Sequence, residues 1–115
     1  MTQETNQLSQ SFTLNLPDRI EYPQEGILSK VLFKDQNCKY TLFCLSTGTD
    51  ISEHTSPRNA TVNVLAGKGT LTLEGKEIAL APGVFVLMTA NAKHALKAEE
   101  NLAFLLTLSE NPQPN

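Results

Sequence analysis

GTDISEHTSPRNATVNVLAGKGTLTLEGKEIALAPGVFVLMTANAKHALKA, residues 48–98, decides the fold of this chain. It divides into short apolar runs at residues 60–66, 70–74, 76–80, 84–88 and 93–98. Between them stand Gly67-Lys68-Gly69, Gly75, Ala81-Pro82-Gly83 and Ala90-Asn91. Runs of this length, punctuated by Gly, Pro and Asn, are strands joined by tight turns, and they argue for an antiparallel sandwich or barrel. The two histidines of the sequence, His54 and His94, sit where such runs leave or enter a turn.

Alternate residues of a strand share a face. On residues 93–98, His94, Leu96 and Ala98 are expected to face inward and Lys93, Ala95 and Lys97 to face water. Ala60, Val62, Val64 and Ala66 form an apolar face opposite Thr61 and Asn63, and Leu71 and Leu73 oppose Thr70, Thr72 and Glu74. Slipping the register by one residue would bury two unpaired ammonium groups in exchange for Leu and Ala, so the register is well determined.

Outward from this stretch, residues 1–11 are polar and expected to be a mobile tail, and Phe12, Leu14 and Leu16 alternate like a half-buried strand. Residues 20–26 form a loop, and 27–33 and 40–45 are β-rich runs joined by Lys34-Asp35-Gln36-Asn37. Residues 46–59 are expected to be mostly turn or irregular chain, with Glu53 a solvated charge of opposite parity to His54. Residues 102–108 form a last strand, apolar enough to be covered on both faces, and 110–115 a second tail. No helical periodicity longer than a turn is present, so the chain is expected to be all-β, with one domain spanning 12–109.

A chain of 115 residues with 40% hydrophobic content buries a core without staples. Its net charge of −3 and scattered basic residues disfavour a nucleic-acid partner. No apolar run approaches the ~20 residues of a membrane span, and the N-terminal stretch lacks the layout of a signal peptide. Cys38 and Cys44 fall on one β segment, too far apart when extended to bridge, as expected of reduced thiols in a cytoplasmic protein. Core packing accounts for Cys44. Gly67-Lys68-Gly69 is too short and wrongly flanked for a phosphate loop, so no nucleotide cofactor is expected.

With the histidines placed, the chain resembles the cupins, small double-stranded β-helix (jelly-roll) barrels. Their first motif runs Gly, five residues, His-x-His, three or four residues, Glu, six residues, Gly. Gly48, His54-Thr55-Ser56, Ala60 and Gly67 fall in that frame. The second runs Gly, five residues, Pro-x-Gly, two residues, His, three residues, Asn, and is matched by Gly83, Thr89, Asn91, His94 and Ala98. The resemblance implies that a metal, where one is held, meets two motif-one histidines, the glutamate and the motif-two histidine. His54 and His94 match two of those positions, whereas Ser56 and Ala60 replace an imidazole and the carboxylate. Catalytic zinc takes about three protein ligands, and a non-haem iron centre takes two His and a carboxylate, so two imidazoles make a weak site for zinc, iron, manganese or nickel. Asn91 for Gly tolerates a left-handed turn, while Thr89 for Pro loosens it.

Three readings of the histidines stand at this point: a metal-free polar pair in a barrel mouth, a weak two-histidine metal site, or unrelated surface groups. Ser56 is a turn hydroxyl whose expected inward direction allows a hydrogen bond to a ligand. The expected function is binding of a small organic ligand by His54, Ser56 and His94, and the alternative is a metal-dependent oxygenase or isomerase. The resemblance also implies a homodimer, for which the apolar runs near Phe12 and Ile27 are candidate contacts.

Overall fold

Alternating apolar and polar residues build nine strands among residues 10–109, the part of the chain that the computed structural model describes. They are β1 (Ile27–Lys34), β2 (Cys38–Leu45), β3 (Asp50–His54), β4 (Ala60–Ala66), β5 (Gly69–Leu73), β6 (Lys76–Leu80), β7 (Phe85–Met88), β8 (His94–Ala98) and β9 (Leu102–Ser109). One 3-10 turn, Leu16–Arg19, is the sole helical element among the described residues. No helix there is long and apolar enough to cross a membrane. The expected tails at 1–11 and 110–115 lie outside the described residues, apart from the exposed Gln10 and Ser11.

Every strand pairing is antiparallel, in a five-stranded sheet of order β1-β2-β9-β4-β7 and a four-stranded sheet of order β3-β8-β5-β6. The sheets face each other across one core, in which Leu45, Val62, Val64, Leu71, Leu80 and Leu102 are essentially shielded from water. Each such side chain contributes about 1.5–3 kcal/mol. Phe43 and Phe104, cross-strand partners, add a stacked ring pair with centroids 5.3 Å apart. A second cluster lies on the outer side of the five-stranded sheet, where Ile20, Tyr22 and Leu32 cover Leu42, Cys44 and Ala103. Leu102 and Phe104 thus pack inward and Ala103 outward, so the first half of β9 is buried on both faces as its composition requires.

Two local expectations are corrected and a third is sharpened. Residues 12–16 form no strand: the segment runs along the outer face, with the Phe12 ring 6.4 Å from that of Phe33, and turns at Pro17. Alternation reports a chain with one greasy side, and lying on a sheet satisfies it as well as joining a ladder. Within 46–59, residues 50–54 form a true edge strand, poor in apolar residues because only Ile51 packs on the core. Ala66 does not continue the face of Val62 and Val64. The register shifts between Val64 and Ala66, so Ala66 pairs with Ala103 and packs with the outer cluster.

The β1–β2 hairpin is closed by Asp35, whose Oδ1 accepts the N–H groups of Asn37 (2.8 Å) and Cys38 (2.9 Å). These donors favour the ionised form and hold the Asp35 carboxyl below its ordinary value. A depressed folded value gives a contribution that is complete above the unfolded value near 4 and disappears as the pH falls through the folded one. Asp35→Ala is therefore expected to lower Tm at pH 7, with the gap to wild type closing as thermal melts are taken below about pH 4. A gap that persists to pH 2 would contradict this account of the turn.

Candidate functional site: the His54–His94 pair

His54 ends β3 and His94 begins β8, and the two are register partners. Parity alone would not place them together. Ile51 pairs with the inward Leu96, yet His54 lies an odd number of residues beyond Ile51 and still faces the partner of Leu96's parity, His94. One extra residue within Ser52–Glu53 makes a β-bulge that turns His54 to the side of His94. Ring centroids are 4.2 Å apart at an interplanar angle of 61°, an edge-to-face contact. His94 is half-buried and His54 exposed, so the pair lies at the rim rather than deep in the core. On β8 the expected parity holds: Leu96 and Ala98 are buried, Lys93 and Lys97 exposed, and Ala95 half-buried.

Each imidazole is fixed by its own chain. His54 Nδ1 lies 2.8 Å from the Ser52 carbonyl oxygen, and His94 Nδ1 lies 2.9 Å from that of Ala92. A carbonyl only accepts, so Nδ1 carries the proton in both rings, and in the neutral form Nε2 keeps a lone pair. Neither Nε2 has a protein hydrogen-bond partner among the described residues. The pair offers two oriented nitrogen acceptors.

Neighbouring turns hold these strands in place. The Asn91 N–H donates to the Ser56 carbonyl oxygen at 2.6 Å, tying the segment after His54 to the one before His94. Asn91 has φ +70°, the left-handed conformation expected where the motif has glycine. Asn59 Oδ1 accepts the Ala90 N–H at 2.8 Å. Glu74 was not singled out from sequence, yet it accepts the Lys93 N–H on Oε2 (2.7 Å) and donates its own N–H to the Lys93 carbonyl (2.8 Å). It thereby clamps the residue before His94. The local signal was Glu74-Gly75, a two-residue hairpin turn with both φ positive (50° and 81°).

Ser56 is half-buried, and its Oγ accepts the Arg58 N–H at 3.2 Å, so its turn role is as expected. It makes no hydrogen bond to either imidazole among the described residues. Ala60, at the glutamate position of the motif, is buried in the core opposite Met88. No group of three or more His, Cys, Asp or Glu able to hold a metal exists among the described residues. The donor set thus fits a two-imidazole site and does not fit a three-ligand zinc or a two-His-one-carboxylate iron centre. Cys38 and Cys44 are free thiols on β2. Burial, followed by the nearby Asp35 carboxylate, pushes the Cys38 thiol above its ordinary value, the reverse of what activates a nucleophile.

Comparison with known proteins agrees with this architecture. The family model described as the cupin domain matches residues 41–108. A conserved protein of unknown function from Streptococcus pyogenes shares 30% identity with a TM-score of 0.80, the match covering 95% of each chain. A cupin 2 conserved barrel domain protein from Leptotrichia buccalis shares 34% identity over 84% of this chain and 47% of its own, with a TM-score of 0.79. A cupin superfamily protein from Desulfitobacterium hafniense has the same fold at 23% identity (TM-score 0.81, 91% of this chain and 96% of that one). The search of curated proteins gave no match. The chain belongs to the cupin superfamily, as a small single-domain member built on a double-stranded β-helix.

Proposed function

We propose that this cupin binds a small organic molecule at the His54–His94 rim, and that a divalent metal there, whether zinc, iron, manganese or nickel, is held weakly. The observation that carries this reading is the pair of adjacent rings, each with Nδ1 committed to a carbonyl and Nε2 left as an acceptor. Such a pair suits a ligand that brings its own donors, such as hydroxyl or amide groups. Ser56 adds to the reading, because its Oγ accepts from Arg58 and its O–H remains for a ligand. The two free thiols support a reducing, cytoplasmic setting.

One observation favours the enzyme alternative, an oxygenase or isomerase using a two-histidine metal. Ligating histidines characteristically donate the other ring N–H to a carbonyl or carboxylate, as both rings do here. A metal at the pair would supply Lewis-acid or oxygen-activating chemistry. The donor count opposes this alternative, since Ala60 brings no carboxylate and Ser56 no imidazole.

The binding reading is tested by imidazole nitrogen NMR on tag-free protein, titrated with a panel of small polyhydroxylated and amide compounds. Shifts confined to the Nε2 signals of His54 and His94, and lost on substituting either by Ala, are expected. Ring signals that no compound moves, alongside shifts elsewhere, would overturn the assignment of the site.

A further inference from the structure

Residues 12–25 cross the outer side of the five-stranded sheet without joining it. Among the described residues no backbone hydrogen bond links this segment to a strand. The Asp18 N–H donates to the Asn15 carbonyl and the Ile20 N–H to that of Pro17, both within the segment's own 3-10 turn. Pro17 and Pro23 have no N–H to offer a ladder. None of these residues is itself buried, yet Ile20 and Tyr22 lie on Leu42, Cys44 and Ala103, each wholly shielded from water. Burial, and after it the neighbouring Cys44, raises the Tyr22 phenol above its ordinary value, as a ring laid over that thiol should show.

The fastenings are few. Lys30 Nζ donates to the Arg19 carbonyl oxygen at 3.0 Å and pairs with Glu21 Oε1 at 3.1 Å. Further out, the Phe12 ring rests 6.4 Å from that of Phe33. At the other end Gly26 has φ +82°, with nothing within 4 Å of where a Cβ would stand. Its carbonyl is held on the barrel by the Ser46 N–H (3.0 Å) and the Thr49 hydroxyl (3.3 Å). Stability is uneven within a fold, and a segment outside the ladder sits at its low end, because ordering the backbone costs entropy that no ladder offsets. We infer that residues 12–25 form a strap that swings open about Gly26 while the barrel stays folded, uncovering the Cys44 thiol and the apolar cluster around it. The strap lies on the sheet that does not carry His54 and His94, so its opening is separate from the rim.

Cys44 itself reports the opening, since in the Cys38→Ser chain it is the remaining thiol. Its modification by N-ethylmaleimide at about pH 8, followed by intact-mass spectrometry, is expected to be at least about 100-fold slower than that of a free thiol. The rate is expected to be nearly flat in dilute urea, because opening the strap exposes little surface. Lys30→Ala, which removes the clasp, is expected to raise the rate about 5-fold and Ile20→Ala about 10-fold, each with the circular dichroism of the barrel unchanged. Modification only at the rate of global unfolding, rising with urea as steeply as the denaturation curve, would overturn the inference. A urea-independent rate that neither variant changes would place the opening in β1 and contradict it equally. Reaction as fast as that of a free thiol would also overturn it, since the strap would then never close.

Discussion

Gly67→Ala is expected to destabilise the protein by at least about 3 kcal/mol, lowering Tm by some 15 °C or more or preventing folding. Gly67 has φ +90°, and a Cβ built there collides with the carbonyl group of Asn101 and falls 2.8 Å from Leu102 Cα. Both obstacles are backbone, so no rotamer change relieves them. The close approach has a purpose in the fold. The turn containing Lys68 offers its carbonyl to Glu99 N–H (2.9 Å) and Glu100 N–H (3.1 Å), fastening the β4–β5 turn to the one that joins β8 to β9. Gly75→Ala provides the comparison. Its φ is +81° but nothing lies within 4 Å, so the variant is expected to lose only about 1 kcal/mol. Thermal and urea melts of both variants measure the difference, and equal losses would show that dihedral strain, not the approach to Asn101, decides the position.

His94→Ala is expected to weaken zinc binding at least about 100-fold, roughly 2.7 kcal/mol. Calorimetric titration of tag-free protein with zinc chloride near pH 7.5 reads this directly. Only two imidazole nitrogens stand at the rim among the described residues, so losing one leaves a lone imidazole. His54→Ala is expected to do the same, and Lys93→Ala, one residue from His94 but with an exposed side chain, to do nothing. Both rings are at least partly exposed, so neither His variant is expected to unfold the barrel. Equal zinc affinity in wild type and His94→Ala would remove His94 from the site.

Much of this geometry was legible because parity and turn chemistry are local. Lys93 and Lys97 cannot be buried, which turns His94 inward, and Asn91 stands where a left-handed residue is needed. The spacing from Gly48 to Gly67 and from Gly83 to Ala98 brought His54 opposite His94, and they are register partners. What escaped was non-local. The bulge at Ser52–Glu53 shows only in the pairing of β3 with β8, and no residue there announces it. The outward turn of Ala66 depends on its match with Ala103, and the clamp of Glu74 on Lys93 joins two different turns. Phe12, Leu14 and Leu16 misled for a related reason, since alternation records a buried side without recording a paired edge.

Elemental analysis of protein purified without a histidine tag tests the two-donor rim most directly. Well under one divalent metal ion per chain is predicted, because the position that would carry the carboxylate is the buried methyl of Ala60. Stoichiometric zinc, iron, manganese or nickel would contradict it and require further protein ligands at His54 and His94.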